Sequence, residues 1–279
     1  MQRNLFMFTV IASKPNTASI NIASRLLENF DWSETGREFD GEPVRAWAKG
    51  DVELVFTDTL HVFANNVGAI ETDCFVFVSS HKSESGKPSL TTHPIGNWGK
   101  AELGGKDKTL VPVLPGLMKN YLQLLQKKRD EMNLDYDVSL EATHHGPFLS
   151  KPALFIEIGS SEKQWADEKA ALAVAESVME GIIAKEGKEF VNCVGLGGQH
   201  YPYEFTKLEL NSEFAFGHMC AKHSLSLLDS SLLQNAIELS NAKKIVLDWK
   251  GLGTEKARIK DLAESSGLEV LRSKAVAKQ

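Results

Sequence analysis

Short apolar runs alternate with helically spaced segments along this chain. Leu5-Phe6-Met7-Phe8-Thr9-Val10-Ile11 and Cys74-Phe75-Val76-Phe77-Val78 are continuous enough to be strands buried on both faces. Val52-Glu53-Leu54-Val55-Phe56 alternates like a half-buried strand. Further strands are predicted at 110–114, 138–143, 153–158, 190–194, 244–249 and 268–271. Between them, Ile20, Ala23, Leu27 and Phe30 share one helical face. Pro115-Gly116 opens a helix running through Met132, with Leu117, Tyr121, Leu124 and Leu125 inward. Ser161 with Gln164 reads as the capping box of a long helix whose stripe is Trp165, Leu172, Ala175, Met179 and Ile182. Residues 214–228 are helical in part, and 230–240 and 254–265 are helices. Residues 79–109, rich in Ser, Gly, Lys and Pro, read as one long loop, and such a loop is more often functional than idle.

Strands alternating with helices predict an α/β fold: a layered, largely parallel (mixed) sheet with helices on both faces, in a single domain over residues 1–279. Ligands of such sheets bind beyond the carboxyl ends of the strands. His81, His144-His145 and His200 each follow the end of a predicted strand. Three turns far apart in sequence are therefore expected to meet at one crevice.

The chain has eight histidines, most of them in turns marked by Gly, Ser or Pro. Imidazole is the commonest protein ligand of zinc and the usual proton carrier near neutral pH. His81-x-x-Glu84, followed by His93, can present two imidazoles and a carboxylate to one ion, although a polar surface loop would show the same spacing. His144 and His145 would point to opposite faces of an extended segment, one toward the crevice and one away. The glycines of the 195–198 loop, Gly197 and Gly198 among them, permit close approach by a substrate or by a neighbouring strand. That loop lacks the Lys-Ser/Thr of a P-loop, and no Gly-x-Ser-x-Gly elbow is present. His223 reads as a core or surface histidine.

Charge and cysteine content narrow the classes further. A net charge of −6 argues against a general nucleic-acid coat protein. Residues 80–130 nevertheless carry nine Lys/Arg against four Asp/Glu, a pattern that fits a phosphate-contacting face or an ordinary solvated one. Cys74, Cys193 and Cys220 are odd in number and widely spaced with no CxxC pair, which argues against a disulfide framework or a cysteine-type zinc knuckle and leaves His and carboxylate as metal ligands. No apolar run approaches the ~20 residues of a membrane span, and the apolar start lacks the features of a signal peptide. A cytoplasmic protein is expected, with no membrane partner and a monomer favoured.

Seven segments together resemble a known family. They are Ile11-Ala12-Ser13-Lys14, Ser80-His81-x-Ser83-Glu84-Ser85-Gly86, Leu90-Thr91-Thr92-His93-Pro94-Ile95-Gly96-Asn97, Thr143-His144-His145-Gly146-Pro147, Phe155-Ile156-Glu157-Ile158-Gly159-Ser160, Gly195-x-Gly197-Gly198-x-His200-Tyr201, and Phe216-Gly217-His218 with Lys222. In order and over residues 11 to about 250, they are similar to the archaeal and plant type of D-aminoacyl-tRNA deacylase. The resemblance implies a zinc-containing hydrolase of phosphorylase/hydrolase-like α/β fold, with similarity to peptidyl-tRNA hydrolase. Its substrate would be the ester between a D-amino acid and the terminal ribose of tRNA.

On that basis metal-activated water is expected to attack the ester. His81, His93 and one of the pair, assigned to His144, hold the metal. Glu84 is a ligand or the general base, and His145 or His200 donates the proton to the leaving oxygen. Lys82, Lys87, Gly197 and Gly198 are expected at the substrate, with the basic stretch from Lys82 to Arg129 on the phosphates of the acceptor end. Two other classes fit the same residues: a zinc-dependent peptidase or amidase on this scaffold, and a non-enzymatic tRNA-binding module.

Overall fold

The computed structural model describes residues 6–84, 86–184 and 189–276; Leu5, where the first strand was expected to begin, lies outside them. The first half runs β1 (Phe8–Ser13), α1 (Thr17–Asn29), β2 (Trp32–Phe39), β3 (Glu42–Trp47) and β4 (Val52–Thr57). Two 3-10 turns (His61–Phe63 and Asn65–Ala69) lead to β5 (Cys74–Lys82), β6 (Ser89–Pro94), β7 (Gly96–Asn97) and β8 (Thr109–Leu110). Then come α2 (Pro115–Glu131), β9 (Asp137–Leu140), β10 (Ala153–Ser160), α3 (Glu162–Trp165) and α4 (Glu168–Ile183). The remainder is β11 (Val191–Leu196), α5 (Tyr203–Asn211), β12 (Phe214–Cys220), a 3-10 segment (Lys222–Leu227), α6 (Ser230–Leu239), β13 (Lys244–Leu247), α7 (Lys256–Glu264), β14 (Glu269–Arg272) and α8 (Ser273–Val276).

The fold is mixed α/β, as the alternation predicts. The strands form two main sheets instead of one. The larger has eight strands in the order β2-β3-β4-β1-β5-β10-β6-β9, and the smaller has four in the order β12-β11-β13-β14. At the centre of the larger sheet β4, β1, β5 and β10 are all parallel, and β6 runs antiparallel to β10. One face of this sheet, with Val76, Val78 and Ile156, packs on α1, α2 and α4. The other face, with Phe75, Phe77 and Phe155, is covered by the 3-10 turns and the segment around Ile95 and Val111. Helix α2 also packs against β12 and so joins the two sheets.

Four expectations need correction. Residues 79–109 are not one loop: β5 runs on to Lys82, and β6 is a fully buried strand. Its sequence, Ser-Leu-Thr-Thr-His-Pro, carries little apolar signal because four of its six buried residues are Ser, Thr or His; Thr92 Oγ1 donates to the Phe155 carbonyl at 2.7 Å. Residues 214–220 are a buried strand instead of a helix, since an apolar run lacks the periodicity that separates the two. The helix expected from Ser161 is broken into α3 and α4, and Asp167 caps the longer part through bonds to the amides of Lys169 and Ala170. The antiparallel pair β2–β3 was not anticipated, because its residues are mostly half-exposed.

Candidate functional site

Strand period fixes the first half of the site. On β5, Phe77, Ser79 and His81 point to one face, and their partners on β10 are Phe155, Glu157 and Gly159. On β6, His93 stands opposite Phe155. This one face thus presents His81, His93 and the carboxylate of Glu157, all buried. Gly159 is required beside His81: a Cβ there would lie 3.2 Å from the imidazole Cδ2 and 2.3 Å from Ser89 Oγ.

The second half comes from the segment after β9. The Glu141 amide still pairs with Thr92 of the large sheet, but the next two residues bond to the loop after β11 and to β12 of the other sheet. Ala142 N–H donates to the His200 carbonyl at 2.8 Å, and Thr143 N–H donates to Met219 at 3.0 Å. Residues 141–145 therefore lie across the junction of the sheets. His145 sits in the left-handed region, φ 41°, which turns its side chain back beside His144. The result is a tight group. Ring centroids of His93 and His144 are 4.2 Å apart, those of His144 and His145 are 4.3 Å apart, and those of His93 and His145 are 4.9 Å apart.

The hydrogen bonds define which ring nitrogens are free. His93, His144 and His145 each have Nδ1 on a backbone carbonyl, of Pro94 (3.1 Å), Ala142 (2.8 Å) and Gly146 (2.6 Å). A carbonyl only accepts, so Nδ1 carries the proton and Nε2 is the atom left for another partner. In His93 that atom faces Glu157 Oε2 at 3.4 Å; burial works against its cation, but Glu157 raises its pKa above the ordinary value. One ligand atom from each of these three lies within 4.8 Å of the others, and the same holds for the set His93, Glu141, Glu157.

His81 and His200 are organised differently. Glu141 Oε2 accepts from His81 Nδ1 at 3.0 Å and from His200 Nε2 at 2.9 Å. His81 Nε2 meets the Tyr201 hydroxyl at 2.5 Å. Glu141 Oε2 also lies 3.6 Å from His144 Nε2 and so links the two groups.

Burial and charge set the protonation. Burial pushes Glu141 up, but hydrogen bonds from His200 and His81 and the nearby cationic rings outweigh it and hold Glu141 well below the usual carboxylate range. Burial works against the cation of His81, yet the bond and charge of Glu141 raise its pKa above the ordinary value. Burial drives His144 and His145 well below theirs, with neighbouring imidazoles adding to the effect. Those two rings are neutral near pH 7, the form that binds metal.

Two buried carboxylate oxygens of the cluster, Glu141 Oε1 and Glu157 Oε1, have no hydrogen-bond partner among the described residues, and a third buried atom, His93 Nε2, lies 3.4 Å from Glu157 Oε2. Each orphaned buried group is costly, and in native proteins such groups point to a ligand or ion. All three are metal-ligand atom types, so the residues present fit a zinc ion.

Of the site residues expected from sequence, His81, His93, His144, His145 and His200 converge. Their grouping differs from the expected set, because His81 joins Glu141 and His200 while His145 joins His93 and His144. Glu84 is exposed in the turn after β5, and the described clusters take their carboxylates from Glu141 and Glu157. Lys82 and Lys87 are also exposed.

Gly197 and Gly198, at φ 104° and 86°, pack on the turn after β13. A Cβ on Gly251 would fall 2.2 Å from Gly198 N, so the close approach there is to backbone. The basic stretch is dispersed. Lys119 is buried and donates to the carbonyls of Glu209, Ser212 and Phe214, and Lys128 pairs with Glu176 and Glu180.

Sequence reasoning missed His61, whose Nδ1 is 3.0 Å from Asn16 Nδ2 and whose ring lies 6.3 Å from that of His145. His218 is a satisfied core histidine between Thr143 Oγ1 and the Val111 carbonyl, its pKa pushed down to about 4 by burial.

Two clefts flank the cluster. One, of about 830 Å³, has His144 and His145 in its wall with Trp98, Leu103 and Leu227. The other, of about 680 Å³, includes Tyr201, Tyr203, Lys87, Arg129 and Lys207. No described helix is long and apolar enough to cross a membrane.

Comparison with known proteins places the chain in a family. The family profile for D-aminoacyl-tRNA deacylase matches residues 69–271. The chain is 40% identical over 278 residues to a D-aminoacyl-tRNA deacylase of Thermococcus onnurineus (strain NA1), covering 95% of this chain and 100% of that one. It is 38% identical to one of Cenarchaeum symbiosum (strain A), covering 95% and 99%. A crystal structure of a conserved protein of unknown function superposes with a TM-score of 0.88 at 33% identity, covering 98% of each chain.

Proposed function

The chain belongs to the D-aminoacyl-tRNA deacylase family, and from that premise we propose that its histidine–carboxylate cluster uses zinc to hydrolyse the ester between a D-amino acid and the terminal ribose of tRNA. The products are the free D-amino acid and a tRNA ready for correct charging, in the cytoplasm where tRNA is used. The observation that carries the zinc assignment is the set of three imidazoles, His93, His144 and His145, each fixed through Nδ1 to a backbone carbonyl so that Nε2 is the atom left to bind a metal. Three histidines with an open fourth position form a known catalytic zinc set, and a fixed Nδ1–H is the usual way its ligands are oriented.

When bound, zinc would polarise the ester carbonyl and lower the pKa of a water to ~7. The chain's own groups do the rest. Glu141, ionised and anchored, fixes the rings of His81 and His200 through its Oε2. A carboxylate held so far down is a weak base, so its role is to orient these imidazoles. His200, on the accessible side, takes the proton from the attacking water. His81 is favoured as a cation by Glu141 and has its Nε2 on the Tyr201 hydroxyl. As the carbonyl carbon–oxygen bond breaks, the Tyr201 hydroxyl gives its proton to the ribose oxygen and takes one from His81 Nε2.

The deciding experiment is deacylation of D- and L-tyrosyl-tRNA, with and without chelator, by the wild type, His144→Ala and His200→Ala. The wild type should hydrolyse the D-form and stop when chelated. His144→Ala should lose both zinc and activity. His200→Ala should keep its zinc while slowing by roughly 10²–10⁴-fold. Full activity after metal removal would reject the zinc assignment. Equal turnover of both enantiomers would reject the substrate assignment, and so would preferential cleavage of peptides.

A further inference from the structure

We propose that the cleft beside Tyr201 and Tyr203 holds the unpaired 3′ strand of the tRNA, leaving the cleft in front of His144 and His145 to the amino acid. This inference rests on the deacylase reading of the cluster. The first argument is charge. The cleft at His144 and His145 carries two lysines, Lys100 and Lys108, against two carboxylates, Glu102 and Asp107, and its wall includes Trp98, Leu103 and Leu227. It is balanced in charge and largely apolar, which suits a side chain and an ester. The other cleft carries three cations, Lys87, Arg129 and Lys207, against one carboxylate, Asp137. Arg129 also pairs with the exposed Asp130 through its Nε, a surface contact that contributes little. Only this second cleft has the excess positive charge that a phosphate backbone needs.

The second argument is the aromatic platform. Tyr203, the first residue of α5, is 72% exposed although it is a large ring. A singly exposed aromatic residue is ordinary. One set among three cations, with Val138 and Leu210 below and Ser139, Thr206 and Asn211 around, is the combination used by single-strand binders. Bases stack on the ring while cations follow the phosphates, and unpaired ends are what proteins read on RNA. At about 680 Å³ the cleft has the size of a site for a small ligand, enough for one or two nucleotides and too small for a duplex.

The third argument is connection. The Tyr201 ring lines this cleft, and its hydroxyl reaches His81 Nε2 at 2.5 Å. His81 shares Glu141 Oε2 with His144, which lines the other cleft. A substrate spanning both clefts therefore carries its ester across the cluster. Tyr203 and Lys207, one turn apart on α5, lie far in sequence from Arg129 and fall outside the basic stretch that the sequence singles out.

The test uses the intact protein, Tyr203→Ala, and the pair Arg129→Ala with Lys207→Ala. The substrates are D-tyrosyl-tRNA and a D-tyrosyl ester of adenosine, which lacks the strand. Tyr203→Ala should raise KM for the tRNA substrate about tenfold. Its kcat/KM on the adenosine ester should stay within about twofold of wild type. The double variant should flatten the dependence of log(kcat/KM) on log[salt] by about 0.7 per cation removed. A parallel measurement does not depend on catalysis: binding of uncharged tRNA and of the same tRNA lacking its last four nucleotides. The wild type should bind the intact tRNA more tightly, and Tyr203→Ala should bind both alike. Unchanged KM and binding in the variants would overturn the cleft assignment, as would equal loss on the adenosine ester. If the wild type cleaves neither ester, the deacylase reading fails, while the binding comparison still decides the cleft.

Discussion

Glu209 shows how a single buried carboxyl ties stability to pH. It lies on α5 with no exposed surface, and its Oε2 accepts from the Phe216 amide at 2.6 Å. Burial pushes its pKa up to about 8, against the pull of nearby Lys119 and of the Phe216 amide. Lys119 spends its own donors on three backbone carbonyls. An acid with a raised folded pKa keeps its proton in the native state while the unfolded chain gives it up. Stability from this group is therefore intact below about pH 4.5 and falls as pH rises toward 8, by at most ~1.4 kcal/mol per pH unit. Glu209→Gln keeps an acceptor for Phe216 and removes the titration. Urea midpoints at pH 5 and pH 8.5 should differ less in the variant than in the wild type, and at pH 8.5 the variant should be the more stable. The cluster histidines are common to both proteins, so the difference isolates Glu209. Parallel pH profiles would mean that Glu209 titrates as an exposed carboxylate.

Among the elements, α4 depends on one side chain. Asp167 accepts from Lys169 N at 2.9 Å and Ala170 N at 3.1 Å, and its other oxygen receives the Tyr136 hydroxyl at 2.9 Å. Asp167→Ala removes the cap and leaves the tyrosine without this partner. The cap alone is worth ~1 kcal/mol, and each kcal/mol lowers Tm by roughly 2–4 °C in a chain of this size. Asp167→Asn should recover most of the loss in a thermal melt; an alanine variant that melts with the wild type would show that α4 is held by packing alone. The sequence points to Ser161 here, because Ser-x-x-Gln imitates a capping box; in the structure Ser161 Oγ bonds Gln164 Oε1, not a backbone amide. Strands β1, β5 and β10 are legible because burial on both faces gives each a mainly apolar run, and β4 because Glu53 alternates with apolar neighbours. Strand β6 is hidden for the opposite reason: most of its buried positions are Ser, Thr and His, residue types that a sequence pattern reads as exposed loop.

At the scale of the whole molecule, the site is a junction. Its histidines could be found because turns at strand ends are conspicuous. Their carboxylates could not be assigned: Glu141 shares a face with His145 only if the strand bends, and it meets Glu157 only when β9, β10 and the β11 loop are brought together across two sheets. How tightly those sheets depend on one another can be read from the cysteines. Cys74 lies in β5 of the large sheet, while Cys193 and Cys220 lie in β11 and β12 of the small one, all buried and none in a disulfide. Burial raises the pKa of Cys193 and Cys220 and suppresses their thiolates, so an alkylating reagent reaches them only when the surrounding structure opens. The three thiols are in effect clocks placed on the two sides of the junction. If residues 141–145 lock the sheets into one cooperative unit, all three should be labelled with the same opening free energy. Faster labelling of Cys193 and Cys220 than of Cys74 would show that the small sheet opens alone and takes His200 with it.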